Sequence, residues 1–470
     1  MADQLRPLMV LGCSSTAGKS LVVTALARWF ARQGVDVVPF KAQNMSNNAR
    51  VVAGGEIGVA QWLQALAAGV EPHVDMNPVL LKPEADNRSQ VVVNGHARHD
   101  LTAMAWRDRG PHLWPAMADA FDRLAAHHQL VLIEGAGSPA EINLPDQVNN
   151  RVVEHADAAA LLVVDIDRGG AFAHLYGTWS LVPEATRVRL AAFVLNKFRG
   201  DASLLEPGPT FMTDRTGMRM GGVLPMVAHE LPDEEGATIR ATPLASETSI
   251  GIVRYPYASN LDEFHLVGHA AHVRWILRSS DLEGCDLVVL PGSKHVAADA
   301  RWLRDRGLDR SLIARAGAGG LTLGICGGCM MLGERVGDDG LVEGATAGLD
   351  LLPMHTEMEP TKVTRPVTVT FPAMDPPWSA LSGVGASGFE IRNGQVTGDS
   401  CRLAPLVWGK GAVLATTVHG LLESPDVLEA LCGQRPPPVL EATFDALADA
   451  VDEHLDTGLL WELVNRPPTG

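Results

Sequence analysis

Leu321-Thr-Leu-Gly-Ile-Cys-Gly-Gly-Cys-Met-Met-Leu332 holds an apolar run, a cysteine followed at once by two glycines, and a second apolar run. The pattern predicts a strand, a tight turn and a helix, with the Cys326 thiol at the apex. Such a turn lifts the sulfur off the sheet. The helix N-terminus favours thiolate over thiol, and the backbone N–H of Gly327 is free to bind an oxyanion. Cys326 is therefore the candidate nucleophile of an amide-cleaving site.

A thiolate nucleophile needs a base, usually histidine. Of sixteen histidines, His419 fits best, because it ends the predicted strand 412–418 downstream of Cys326 and is followed by Gly-Leu-Leu-Glu. Glu423 is a weak candidate to orient it, being four residues on rather than two. Pro291-Gly-Ser-Lys294 follows another predicted strand and makes Gly292 a candidate second oxyanion donor, with a plain strand-end turn as the competing reading. Cys326 and Cys329 form a C-x-x-C, but no second ligand pair at zinc-site spacing exists, and the intervening glycines do not fit a redox pair. Cys329 reads as packing.

The N-terminal half alternates short Val/Leu/Ile strands (7–12, 35–40, 129–133, 159–164, 190–195) with helical patterns (19–33, 57–68, 101–127). This argues a parallel sheet covered on both faces. Gly12-Cys-Ser-Ser-Thr-Ala-Gly-Lys-Ser20 falls between the first strand and first helix, as G-x5-G-K-S, one residue longer than the usual P-loop. Its backbone, with Ser15, Thr16 and Gly18, would cradle phosphates; Lys19 would reach the β- and γ-phosphates, and Ser20 would hold Mg²⁺. ATP and Mg²⁺ are thus the expected ligands. Glu134, at a strand end, is the second candidate metal ligand. Asn196 ends a later strand, where a base-contacting group would sit.

The bulk composition fits these motifs. A chain of 470 residues with 46% hydrophobic content carries at least two globular domains. The polar, Pro- and Gly-containing stretch 229–248 reads as a connection, which places α/β domains at about 1–235 and 249–440, with a last amphipathic helix at 440–464. Formal net charge is −17, without a concentrated basic face, which argues against nucleic-acid binding. No apolar run approaches a membrane span, and the N-terminus lacks a signal-peptide pattern, so the expectation is a cytoplasmic enzyme. Six cysteines in so long a chain do not form a disulfide framework. A homo-oligomer is compatible with the sequence.

Lys41-Ala-Gln-Asn-Met-Ser46, Gly54-Gly-Glu-Ile-Gly58, Asp75-Met-Asn-Pro-Val-Leu-Leu-Lys-Pro83, Ser89-Gln-Val-Val-Val-Asn-Gly95, Leu290-Pro-Gly-Ser-Lys294, Gly324-Ile-Cys-Gly-Gly328 and His419-Gly420 together resemble the cobyric acid synthases, glutamine amidotransferases of cobalamin synthesis. The likeness runs over nearly the whole chain. It implies a dethiobiotin-synthetase-like P-loop domain followed by a class I glutaminase. The implied reaction is a carbon–nitrogen ligase reaction: ATP-dependent amidation of the b, d, e and g carboxylates of adenosylcobyrinic acid a,c-diamide, with ammonia drawn from glutamine. Carried over, Cys326 is the nucleophile, His419 its base, Gly12–Ser20 the ATP loop and Glu134 the metal-binding acid. The family lacks the usual glutamate two residues after the histidine, and Leu421 agrees, so a Cys–His dyad is expected. An acidic chain needs a locally basic corrinoid site; Lys41, Gln43, Asn44, Lys82 and Arg88 lie in family-matching loops and are the candidates. Arg392, where histidine is usual, and Cys329, where an aromatic is common, are departures. Two other readings remain: a,c-diamide formation on another corrinoid acid, and a P-loop regulatory ATPase with a degenerate glutaminase.

Overall fold

The computed structural model of the chain describes residues 4–85, 88–143, 148–232, 247–340 and 342–465, without the side chains of 84–88. Most of the predicted connection therefore lies outside the described residues. Six short strands, β1 (Leu8–Gly12), β2 (Val37–Phe40), β3 (Leu130–Glu134), β4 (Ala159–Asp165), β5 (Leu190–Phe198) and β6 (Arg219–Pro225), form a parallel sheet ordered β6-β5-β4-β1-β3-β2. β1 to β4 are buried along their whole length, because helices cover both faces. From β1 the chain goes to the edge strand β2, returns to β3 beside β1, and then crosses to β4, β5 and β6 on the other side. The loops after β1, β3 and β4 thus meet at one switch point at the carboxyl edge, where ligands of open α/β sheets bind.

The second sheet contains β7 (Ser249–Val253), β8 (His272–Ile276), β9 (Leu287–Leu290), β10 (Leu321–Ile325), β11 (Arg402–Ala404), β12 (Val407–Lys410) and β13 (Val413–Thr416). Its order is β8-β7-β9-β10-β13-β12-β11; the first five strands are parallel and the last two antiparallel. A long antiparallel hairpin, His355–Thr370 and Gly385–Thr397, reaches from this unit to the first. Phe389 and Ile391 on it share an apolar cluster with Ala49, Leu80 and Val92. Lys362 pairs with buried Glu56, and Arg50 with Asp262 and Glu423.

Two helical expectations are corrected. The stretch 101–127 is broken: His99–Ala103 and Trp106–His127 are separated by extended Met104 and Ala105. The Arg109 guanidinium donates to the Thr102 and Met104 carbonyls and so fixes the bend. The last helix is also two, Val439–His454 and Thr457–Asn465. Both pack on the first domain, where Phe444, Leu447, Val451, Leu459 and Leu463 join one core with Leu8, Val10, Trp29 and Phe30. Asp445 and Asp449 pair with Arg28 and Arg32 at 2.8 and 2.7 Å. The last two described helices therefore belong to the core of the first domain. No helix among the described residues is long and apolar enough to cross a membrane.

Candidate active site

The strand β10 delivers Cys326 at its carboxyl end, and the helix Gly327–Leu332 starts immediately. Cys326 has φ 49° and ψ −105°, a strained conformation for a non-glycine residue, which turns its side chain away from the strand direction. Its N–H donates to Thr416 on the neighbouring β13 at 2.8 Å, and its thiol faces the Ile391 carbonyl at 3.7 Å. The Gly328 N–H is used by the Pro291 carbonyl at 2.9 Å. The Gly327 N–H, at the first helical position, has no intrahelical acceptor and is the amide left for an oxyanion. Gly292 lies close by. A Cβ added to it would fall 2.6 Å from His419 Cε1, so only glycine lets this turn approach the imidazole.

His419 lies within electrostatic reach of Cys326. Its backbone is clipped to Phe389 in both directions, at 2.9 and 3.0 Å, and the two rings stack at 5.5 Å. The expectation of a dyad is corrected by Glu263, wholly buried in the short helical turn Leu261–Phe264. One of its oxygens lies 3.0 Å from His419 Nδ1 and the other accepts the Gly420 N–H at 2.8 Å. Burial opposes a charge on His419, but Glu263 and Cys326 outweigh it and raise the imidazole to about 10. Geometrically this is a Cys–His–Glu triad. Glu423 does not touch the imidazole. It pairs with Arg50, and burial pushes its carboxyl up to about 7 against that pairing.

A cavity of about 220 Å³ opens beside Cys326, lined by Lys294, Glu343, Met330 and Arg392. Arg392 is held by Glu390 at 2.7 Å and by the Gly394 carbonyl. Cys329 is fully buried, and all six cysteines are free.

In the first domain the phosphate loop joins β1 to the helix Lys19–Arg32. Gly18 has φ 95°, and an added Cβ would collide with the Asn196 amide, which donates to the Ala17 carbonyl at 2.9 Å. Asn196 thus braces the loop from the end of β5. Lys19 Nζ is curled onto the Ser14 and Ser15 carbonyls at 3.0 and 3.3 Å. The Ser20 hydroxyl donates to Glu134 at 2.8 Å, and Lys41 Nζ donates to the same oxygen at 2.7 Å. Burial opposes ionisation of Glu134, but Lys41, Gln64 and Ser20 hold its carboxyl below the ordinary range. An ionised carboxylate beside a hydroxyl is a hard-oxygen pair, which fits Mg²⁺.

Two larger cavities flank this loop. One of about 670 Å³ is lined by Ser20, Asp165, Asn196, Lys197, Pro225 and His265. The other, of about 910 Å³, is lined by Lys41, Gln43 and Asn44 from the first domain and by Arg254, Trp302 and Arg306 from the second. Lys82, a candidate for the corrinoid site, is turned inward. It is 1% exposed and pairs with Glu56, and burial drives its ammonium well below the usual lysine range. The Arg88 side chain lies outside the described residues. Sequence reasoning missed Glu263, Asp165, Gln64 and Arg50. None belongs to a local motif, and each is brought in by a separate segment.

Residues 8–229 match the CobQ/CobB/MinD/ParA nucleotide binding domain, and residues 249–427 match the CobB/CobQ-like glutamine amidotransferase domain. Over 477 residues the chain is 50% identical to a cobyric acid synthase of Variovorax paradoxus, covering 98% of this chain and 99% of the relative. Cobyric acid synthases of Paracidovorax citrulli and a Polaromonas species are 50% and 47% identical, each over 98% of this chain and 99% of their own length.

Proposed function

The chain belongs to the cobyric acid synthase family, and from that premise we propose that it is a glutamine-hydrolysing, ATP-dependent ligase. Its acceptor is adenosylcobyrinic acid a,c-diamide, amidated at the b, d, e and g carboxylates. The observation that carries the reading is the pairing, in one chain, of the Cys326–His419–Glu263 array with a phosphate loop whose Ser20 meets a buried, ionised Glu134. A cleft lined by both domains borders the phosphate loop and Glu134.

A carboxylate resists ammonia because it lacks a good leaving group. Transfer of the γ-phosphoryl group of ATP to the carboxylate oxygen gives an acyl phosphate and ADP. Ammonia then displaces phosphate and forms the amide. Lys19 would turn from the loop carbonyls to the phosphates, and Gly18 and Asn196 hold the loop open for them. Ser20 and Glu134 would hold Mg²⁺, which would supply positive charge to the phosphates. Lys41, Gln43 and Asn44 border the acceptor side of the cleft. In the second domain the Cys326 sulfur attacks the glutamine carboxamide, the Gly327 N–H faces the oxyanion, and His419 passes its proton to the departing ammonia. Water releases glutamate from the thioester. His419, neutral once it has given up that proton, takes one from the water and returns it to the Cys326 sulfur, while Glu263 keeps the imidazole oriented through both steps.

Mass spectrometry of adenosylcobyrinic acid a,c-diamide incubated with the chain, ATP, Mg²⁺ and glutamine tests this. Four successive losses of about one mass unit, O–H becoming NH₂, are expected. Amidation of cobyrinic acid in place of its a,c-diamide would favour the related acceptor. ATP turnover with no mass change on either acid would overturn the ligase reading.

A further inference from the structure

A second cluster of chemistry-bearing side chains lies away from the triad and the Ser20–Glu134 pair. Glu230 follows the last strand of the first domain; in the second, His265 joins the short helical turns Leu261–Phe264 and Leu266–His269, and His269 ends the latter. One ligand atom from each of the three lies within 4.8 Å of the others, the only such group among the described residues. His269 Nε2 is 3.2 Å from the Glu230 carboxylate. His265 and His269 are 8% and 6% exposed, and both Nε2 atoms are buried without a hydrogen-bond partner, as is the facing Glu230 oxygen. The two imidazoles sit edge to face with centroids 5.4 Å apart, a poor arrangement for two cations.

Buried polar atoms without a well-aligned hydrogen bond are costly, and here two imidazole nitrogens and a carboxylate oxygen converge on one point with only the 3.2 Å His269–Glu230 contact between them, which invites a shared partner. Water would satisfy them singly. A metal satisfies them together, and two imidazole nitrogens with one carboxylate oxygen match the three-protein-ligand set of zinc sites. Tetrahedral ligands stand about 3.4 Å apart, so the cluster needs only a small contraction. Imidazole donors select zinc-like ions over Mg²⁺, which keeps the cluster distinct from the Ser20–Glu134 oxygen pair.

We infer that Glu230, His265 and His269 form a divalent transition-metal site, of the zinc class, that joins the two domains beside the nucleotide-side cavity. His265 lines that cavity, together with Ser20 and Asn196. It also stands two residues after Glu263, the partner of His419. The ion would therefore clamp the segment that carries Glu263 to the exit of the first sheet.

The test is Zn²⁺ titration of the full chain after chelation, in a Cys326→Ser background with saturating Mg²⁺, so that neither the thiol nor the oxygen pair competes. One Zn²⁺ per chain is expected at micromolar or tighter Kd. His265→Ala and His269→Ala should each weaken it on the order of 100-fold. Glu230 is partly exposed, so Glu230→Gln tests the cluster in a soundly folded chain if a histidine variant misfolds, with loss of about 10-fold. Co²⁺ in place of Zn²⁺ should give the visible absorption of a low-coordinate site. Absence of stoichiometric Zn²⁺ binding, or equal binding by Glu230→Gln and the folded histidine variants, would overturn the site and leave an ordinary His–Glu contact.

Discussion

Glu263 Oε1 lies 3.0 Å from His419 Nδ1, although 156 residues separate them along the chain. The other carboxylate oxygen takes the Gly420 N–H at 2.8 Å, so Glu263 fixes both the ring and the backbone of the residue it serves. Glu263→Gln keeps the shape but loses the charge. Glutamine hydrolysis should fall about 10²- to 10⁴-fold, as for other orienting carboxylates. Amidation supported by added ammonium salt should be unchanged. Parallel assays with the two nitrogen sources check this.

Cys326→Ala removes the nucleophile and leaves the phosphate loop untouched. Glutamine-dependent amidation should vanish while ammonia-dependent amidation persists. Loss of both would refute the assigned division of labour.

The pH dependence of stability follows from His419. Its folded value, about 10, lies above the ordinary 6.5. The charged imidazole therefore stabilises the fold fully below pH 6.5, and that contribution is lost as pH rises through about 10. Glu263→Gln removes much of the raised value. Urea unfolding of wild type and variant should show a gap that is widest near pH 6.5 and narrows toward pH 10.

Gly292→Ala places a methyl 2.6 Å from His419 Cε1. The ring must shift, and a displacement near 1 Å costs catalysis about 10²-fold. Glutamine hydrolysis should fall to that extent while ATP binding, read by equilibrium dialysis, holds.

Lys41→Met leaves Glu134 buried without its ammonium partner, both side chains being nearly inaccessible. Breaking such a pair costs about 3–5 kcal/mol. Denaturant unfolding should show the first domain weakened by that order, with Mg²⁺-ATP recovering part of the loss by binding the native state.

The two glycine-rich turns were legible because each is contiguous. Gly12–Ser20 and Gly324–Gly328 announce strand, loop and helix within a dozen residues, and both fold as read. His419 was legible as a strand-end histidine downstream of Cys326. The burial of Lys82 was not legible because a family-matching loop gives no measure of it; its partner Glu56 lies on another strand. The 440–464 pattern gave its apolar stripe correctly but not its destination, which is the first sheet, reached by passing the entire second domain.

By itself the sequence determined the two α/β sheets and the phosphate loop and singled out Cys326 and His419 as candidate nucleophile and base, since hydrophobic period and glycine placement act over a few residues. Only the tertiary structure decided which carboxylate completes the triad, which lysine neutralises Glu134, and that Glu230 faces two histidines of the other domain. Those choices depend on side chains meeting from segments far apart, where electrostatics in a dry interior selects partners that no local spacing encodes.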